Sequence, residues 1–368
     1  MKILILVRSL TAGGEQRVAS LWATGFVNQG HDVALVLGRS KKFPQTYKVP
    51  CQAKIYHLYN PIAQYLYKGF GIKSYYINGL KKVINEFRPD IIISLYHPWT
   101  EWSKIVTQGL NIPIVSTEHT TFERPDSAKM SPKTYRNKFV LNKQYDYVTV
   151  LTEADKRCLQ GHLCKVMVMP NPLAYPSVSE IPPKENLILA VGQLHSWHIK
   201  GFDILIKAWG KICKQYPDWR LQIAGGDRND SKSFLQSMAE ACHAGGQVEF
   251  IGFHDNLQPI YQRCSIFVLS SRCEGFGMAL IEAMSQGCAC IACDYKGRQS
   301  EIITSKTMGM TCLPEDIEAL SMALSQMIEN SIYRESIRKN AIERSKFYSL
   351  DNVMKRWDDI FRKLDNIS

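Results

Sequence analysis

Two glutamates, Glu274 and Glu282, stand with seven residues between them in the run EGFGMALIEAMSQG, and their neighbours say what carboxylates at that spacing can do. Ahead of Glu274, the stretch Ile266 to Ser271 is short, apolar and β-rich, the pattern of a buried strand that delivers Glu274 at its carboxyl end. Gly275 and Gly277 leave the backbone bare on either side of Phe276. From about Met278 the residues Ala279, Leu280, Ala283 and Met284 recur at helical spacing, and Gly287 follows as a left-handed stop. Unpaired amides from Gly275 to Met278, with the positive end of the helix dipole, attract phosphate. A carboxylate on each side accepts hydrogen bonds from sugar hydroxyls. The layout predicts a grip on a sugar nucleotide, with Glu274 on the hexose and Glu282 on the ribose. Taken by themselves, the same residues also suit a solvated Glu282 and a Glu274 that caps the helix.

Other candidates fall where strands are expected to end. Thr11-Ala12-Gly13-Gly14 follows the first apolar run, Glu118-His119 follows Pro113 to Thr117, and Asn171 follows Val166 to Met169. Farther on come Gly192-Gln193 and Gly225-Gly226-Asp227. In open parallel sheets, ligands bind beyond the carboxyl ends of the strands. Gly13-Gly14 allows close approach to the backbone, but the spacing is not that of a dinucleotide fingerprint. Lys200-Gly201-Phe202-Asp203 opens a helix with a cation that can neutralise a departing diphosphate. A histidine such as His119 at a strand end is, alone, more often structural.

The elements that must position these groups alternate. Lys2 to Val7, Glu15 to Asn28 and Asp32 to Leu37 form a βαβ unit, and apolar runs at Asp90 to Leu95, Pro113 to Thr117, Tyr147 to Leu151 and Val166 to Met169 extend its parallel sheet. Asn171-Pro172 and the polar, proline-containing stretch after it interrupt the rhythm. A second alternation begins at Leu187 to Val191 and continues through strands near Trp219 to Ala224, Val248 to Ile251, Ile266 to Leu269 and Cys288 to Ala292. We therefore expect an α/β chain of two doubly wound, Rossmann-like domains: residues 1–172, a linker at 173–185, residues 186–345, and a C-terminal segment 346–368. If the two sheets face one another, the strand-end residues line one cleft.

The E-x7-E run from Glu274 to Glu282 resembles the corresponding segment of the retaining glycosyltransferases of family 4, which have the GT-B fold, and the resemblance extends over most of the chain. Lys200-Gly201-Phe202-Asp203 is similar to that family's Lys-Gly-Phe-Asp. Gly13-Gly14-Glu15-Gln16-Arg17 is similar to its Gly-Gly-Ala-Glu-Arg, except that Gln16 stands where the glutamate is customary. The resemblance implies a C-terminal helix that returns to the first domain. It also implies catalytic roles for His119, Glu274 and Lys200, with His119 touching the donor sugar beside the reacting carbon. Gln193, Lys200, Gly275, Phe276, Gly277, Met278 and Glu282 would bind the donor. Gly13, Gly14, Arg17 and Glu118 would lie on the acceptor side. Gln193 occupies the place of an arginine in the family, so the diphosphate would lean on Lys200 and the loop amides, helped by His195, His198 or Arg298. The chain has no Asp-x-Asp pair of the kind that holds a divalent ion on a diphosphate. No metal and no cofactor is expected, and the reaction implied retains the anomeric configuration by same-face attack.

Composition narrows the setting. A length of 368 residues suits two cores, and eleven cysteines without a secretory leader suit a reducing, cytoplasmic compartment. No stretch approaches the roughly 20 apolar residues of a membrane span. The net charge of +11 favours a polyanionic neighbour. Basic residues cluster between Arg124 and Lys143, and aromatics interleave with Lys68, Lys73, Lys81 and Lys82 between Tyr56 and Lys82. Such a surface is either simply solvated or suited to an anionic membrane and a lipid-linked pyrophosphate. The expected partners are a nucleotide-sugar, with UDP ahead of GDP, and a glycan or polyprenyl-pyrophosphate-linked acceptor of surface polysaccharide such as O-antigen or capsule, at the inner face of the plasma membrane. A GT-B sugar-nucleotide epimerase is the second enzyme reading. A nucleic-acid-binding protein is the reading from another class, and no recognised module for it is visible.

Overall fold

The computed structural model describes residues 1–40, 42, 45–125, 129–163 and 165–365. They form two compact units, one of residues 1–123, 129–172 and 350–365, the other of residues 173–349 with 124 and 125.

In the first unit the chain runs β1 (Lys2–Val7), α1 (Gly14–Asn28), β2 (Asp32–Leu37), β3 (Lys54–His57), α2 (Pro61–Phe70), α3 (Ser74–Phe87), β4 (Ile91–Ser94), α4 (His97–Val106), β5 (Ile114–Thr117), α5 (Pro132–Tyr135), β6 (Tyr147–Val150), α6 (Glu153–Cys158) and β7 (Val166–Val168). The strands make one parallel sheet in the order β3-β2-β1-β4-β5-β6-β7. Helices cover both faces, so β1, β2 and β4 are apolar almost without interruption and nearly fully buried. Chain order reverses between β1 and β4. Their carboxyl ends therefore border the crevice where open sheets of this kind take ligands.

The second unit runs β8 (Glu185–Val191), α7 (Trp197–Lys200), α8 (Phe202–Ile212), β9 (Arg220–Ala224), α9 (Ser231–Ala241), β10 (Val248–Gly252), α10 (Gln258–Arg263), β11 (Cys264–Leu269), α11 (Met278–Ser285), β12 (Ala289–Cys293), β13 (Met310–Cys312), α12 (Ile317–Glu329) and α13 (Ser331–Ser345). Its sheet is again parallel, in the order β10-β9-β8-β11-β12-β13, with the reversal between β8 and β11. The core beneath holds Trp209, Leu205, Ile223, Ile266 and Leu324, all fully buried. A last helix, α14 (Leu350–Asp365), belongs to the first unit. It lays Trp357 against Trp22 (5.0 Å between ring centroids) and Phe26 (5.7 Å) of α1.

The sequence expectation of two Rossmann-like domains and a returning helix describes this architecture. Its boundaries need three corrections. The strands β3 and β13 were not expected, because both are short edge strands whose residues are only part-buried and lack a sustained apolar run. Residues 173–185 are no separate linker. The amide of Leu173 donates to the Tyr348 carbonyl (2.7 Å), that of Val178 to Ser285 (2.9 Å), and the Ser177 and Ser345 hydroxyls meet at 2.8 Å, all inside the second unit. The returning segment begins at Leu350, since Lys346–Tyr348 forms a tight turn that still belongs to the second unit.

Candidate functional site

In the second unit the segment 270–277 leaves β11, and its anchoring is visible bond by bond. The Ser270 hydroxyl donates to the Lys200 carbonyl (2.9 Å). The next residue, Gly201, has φ of 64°, and a Cβ there would fall 1.9 Å from the Ser270 carbonyl oxygen, so only glycine lets the start of α8 pass the end of β11. Arg272 forks onto buried Asp203, Nη1 to Oδ1 at 2.7 Å and Nη2 to Oδ2 at 2.8 Å, and also donates to the His198 carbonyl (2.6 Å). Phe276 is buried edge-on against Tyr348, centroids 5.4 Å apart. Gly277, at φ 98°, caps α11. Held at these points, the loop presents Glu274, whose Oε2 accepts from Lys200 Nζ at 2.7 Å and from the Ser271 hydroxyl at 3.4 Å. Both members of the pair remain partly exposed.

Glu282 turns the other way. It is 3% exposed, and the buried Tyr261 hydroxyl donates to its Oε2 at 3.1 Å. Burial first, then the neighbouring Glu282 carboxylate, push the Tyr261 phenol well above its ordinary pKa and keep it a donor. The alternative of a solvated Glu282 is thereby corrected, and a ribose would have to share this carboxylate with Tyr261. Gln193 stands exposed just after β8. His195 and His198 are exposed as well. Arg298 is not available at the surface: it is fully buried over the Tyr295 ring, 5.5 Å from its centroid, with Nη1 donating to the Tyr295 carbonyl. The help expected from Arg298 is corrected on that ground.

In the first unit the strand ends gather a second group. Glu118, just beyond β5, is sealed inside it. Its Oε2 accepts from Lys138 Nζ (2.8 Å), its Oε1 accepts from Asn142 Nδ2 (2.7 Å), and His97 Nε2 lies 2.6 Å from Oε1. Burial alone would raise the Glu118 pKa, but the Lys138 cation and His97 outweigh it and hold the carboxyl far below the usual range. With both oxygens committed, Glu118 supports the site from beneath, which corrects its assignment to the acceptor side. Lys138, expected on a solvated basic surface, is 2% exposed within a π-helical turn, Arg136–Val140, and lies 4.0 Å from the Phe122 ring centroid.

His119 is partly exposed. Its Nε2 lies 3.0 Å from the Thr117 hydroxyl, and its ring packs on Trp22 at 5.6 Å. Burial of the ring nitrogens drives its pKa down to about 4, against the upward pull of Glu118 and the Asn171 side chain, so it is a neutral imidazole at physiological pH. Gly13 and Gly14 open α1. The Tyr47 hydroxyl accepts from the Gly13 amide at 3.4 Å, and the Arg17 guanidinium lies over the Tyr47 ring, 5.5 Å from its centroid. Beside them, Glu15 has an oxygen, Oε1, sealed from solvent without a hydrogen-bond partner among the described residues. Its pKa is pushed up to about 7, chiefly by burial and also by Glu118, against the pull of Arg8 and His97.

The structure thus unites Glu274, Lys200 and Gly275 to Met278 in one unit, and His119, Gly13, Gly14 and Arg17 in the other. Sequence reasoning missed His97, Lys138, Asn142 and Arg272. His97-Pro98 carried a signal, since it stands just after an apolar strand, the same context that singled out Glu118-His119. Lys138, Asn142 and Arg272 carried none, because only the folded chain brings them to their carboxylates. Among the described residues, no group of three His, Cys, Asp or Glu side chains is placed to hold a metal ion.

Two family profiles divide the chain between them: "Glycosyltransferase Family 4" matches residues 12–173, and "Glycosyl transferases group 1" matches residues 174–344. A glycosyltransferase of Haemophilus influenzae, itself uncharacterised, is 28% identical over 95% of this chain and 96% of its own. An α-1,4-N-acetyl-D-galactosaminyltransferase of Campylobacter jejuni, which acts on an undecaprenyl-diphosphate-linked acceptor, is 23% identical over 100% of this chain and 99% of its own. The solved structure of HepE from Anabaena, in complex with UDP and glucose, superposes with a TM-score of 0.79 at 17% identity, over 99% of this chain and 100% of that one.

Proposed function

Because this chain belongs to the family-4 glycosyltransferases, of GT-B fold and of the type that builds bacterial polysaccharides, we propose that it moves a hexose or N-acetylhexosamine from a UDP-sugar to a lipid-linked glycan with retention at the anomeric carbon. The observation that carries this reading is the Lys200–Glu274 pair at 2.7 Å, held on a loop whose backbone is clamped by Arg272–Asp203. An arriving diphosphate competes with Glu274 for Lys200. The carboxylate is then released to a sugar hydroxyl, and the amides from Gly275 to Met278 take up the remaining phosphate charge. In the proposed step the bond from the anomeric carbon to the diphosphate oxygen breaks, and the acceptor hydroxyl bonds to that carbon from the same face. Its proton passes to the departing diphosphate, giving nucleoside diphosphate and glycoside. No metal is invoked: Lys200 and the amides supply the positive charge.

A UDP donor is supported by the nucleotide bound to the Anabaena structure, and a lipid diphosphate acceptor by the substrate of the Campylobacter relative. No described helix is long and apolar enough to cross a membrane. The helix α2 instead exposes Ile62, Tyr65 and Phe70 by about two-thirds, with Ile72 and Tyr75 beside them and Lys68 among them. Large apolar side chains and cations on one hairpin suit an anionic membrane surface, and we place the protein at the inner face of the plasma membrane. The test is nucleotide release from UDP-sugars with and without lipid-linked glycan, followed by NMR of the product's anomeric proton. We expect acceptor-dependent UDP release, and a Glu274→Ala variant that melts like the parent but loses at least about a hundredfold in rate. Full activity in that variant, or an inverted product, would overturn the reading.

A further inference from the structure

Two thiols of the second unit face each other across neighbouring strands. Cys293 and Cys312 are the last residues of β12 and β13, and the parallel register sets them directly opposite one another. Their sulfurs lie 3.9 Å apart. Neighbouring strands run about 4.8 Å apart, inside the roughly 4.4–6.8 Å that separates the Cα atoms of a disulfide. The sulfurs need only close to about 2.05 Å, a movement that side-chain rotation and a small shift of one strand supply. The strand that can give is β13, which stands at the sheet edge and pairs on one side alone. The amide of Asp294 donates to the Cys312 carbonyl (2.8 Å) and keeps the two strand ends in step.

The two sulfurs differ in a way that suits consecutive roles. Cys293 is 1% exposed, while Cys312 is partly exposed and within reach of a small oxidant. The hydrogen bond that Cys293 donates holds the Cys312 thiol below its ordinary pKa, against burial and the Asp316 carboxylate, and the same bond raises Cys293. The thiolate is the form that attacks a peroxide, so Cys312 reacts first and Cys293 resolves. Cys264 and Cys288 lack these features. Both are fully buried, and their thiols donate to the carbonyls of Ile266 (3.0 Å) and Tyr261 (3.1 Å).

The segments that follow the two cysteines both hold the loop 270–277. Beyond Cys312 the chain turns through Glu315, at φ of 71°, whose Oε1 accepts from Arg272 Nε at 2.7 Å. Arg272 is the residue that forks onto Asp203. Beyond Cys293, the Asp294 carboxylate accepts from the Gln299 and Ser300 amides (2.9 and 3.1 Å), and the Gln299 side chain reaches the Phe276 carbonyl at 3.5 Å.

We propose that Cys293 and Cys312 form a redox-modification site whose substrate is a hydroperoxide, and that the disulfide made there loosens the loop that carries Glu274. The Cys312 thiolate takes the terminal oxygen of the hydroperoxide. The O–O bond breaks, and the remaining oxygen takes up the proton that Cys312 released and leaves as an alcohol or water. The Cys293 sulfur then bonds to the sulfur of the Cys312 sulfenic acid, and its proton departs with the hydroxyl as water. The two thiols lose two electrons and the hydroperoxide gains them, and a dithiol reductant reverses the change. Drawing Cys312 toward Cys293 pulls the turn with Glu315 off Arg272, and the clamp on the loop slackens.

The experiment treats the reduced protein with hydrogen peroxide and follows tryptic peptides and amide hydrogen exchange. Peptides 273–296 and 307–334 should be joined through Cys293 and Cys312. Amides of 270–277 should exchange at least about threefold faster, until dithiothreitol restores the parent rate. A Cys312→Ser variant, near-isosteric at a partly exposed position, should show neither effect, which separates the pair from oxidation of Cys273 or of methionines. A Cys293→Ala variant should stop at a sulfenic acid on Cys312 that dimedone traps. Absence of the cross-link in the parent, unchanged exchange in the cross-linked protein, or peroxide-accelerated exchange in Cys312→Ser overturns the proposal. So does a Cys293→Ala protein in which dimedone leaves Cys312 unmarked. None of these readouts uses a nucleotide-sugar, so their failure leaves the transferase reading untouched.

Discussion

At the scale of single residues, the carboxylates differ more in environment than in sequence context. Glu274 is shared between Lys200 and water, Glu282 is given to Tyr261, and Glu118 is committed to Lys138, Asn142 and His97. Glu15 is the outlier, with one sealed and unpartnered oxygen beside the glycine turn. Its ordinary value of 4.5 is raised to about 7, so between those limits the folded protein holds a proton that the unfolded chain has released. Stability therefore falls as pH rises through that window, and the contribution is fully present only below 4.5. A Glu15→Gln variant should gain on the parent from pH 5 to 8, by up to ~3 kcal/mol, with thermal melts across that range as the check. Parallel melting curves would show that Glu15 ionises normally. The sequence named Glu274, Lys200 and His119, since each follows a recognisable strand or opens a helix. It could not name Lys138, which sits among other lysines and arginines and is told apart only by the carboxylate it meets in the fold.

At the scale of elements, α2 has two faces with different tasks. Gln64 and Tyr67 turn to a cavity lined also by Trp99 and Trp102, while Ile62, Tyr65 and Phe70 face outward, an arrangement that helical periodicity produces within ten residues. Exposed apolar side chains of this size cost solubility unless another surface covers them. An Ile62→Glu/Phe70→Glu variant should lose most of its sedimentation with phosphatidylglycerol vesicles and keep the parent's melting temperature, because neither side chain is packed in the core. Retained sedimentation would assign membrane contact to another part of the chain. Aromatics interleaved with lysines were legible in the sequence. Which of them line the cavity and which stay outside was not, because that division depends on where α4 brings Trp99 and Trp102.

At the scale of the whole molecule, α14 joins the end of the chain to its beginning. Trp357 is fully buried between Trp22 and Phe26, and Trp22 in turn packs on His119. A Trp357→Ala change should therefore destabilise the first unit by about 3–5 kcal/mol and also disturb the ring at the site. Paired measurements of the unfolding midpoint and of the His119 imidazole shift by NMR would separate the two effects, and an unmoved imidazole resonance would remove Trp22 from the support of the site. The sequence by itself determined the alternation of buried strands and helices, and with it two doubly wound sheets and the glycine-flanked loop before α11. Apolar periodicity and glycine placement are local properties that a linear chain displays. Only the tertiary structure decided that Glu118 is buried on Lys138 while Glu274 stays open on Lys200, that Arg298 is withdrawn, and that 173–185 is bound to the second unit. Each depends on which distant side chain arrives within 3 to 4 Å, and electrostatics and burial at that range follow from packing rather than from spacing along the chain.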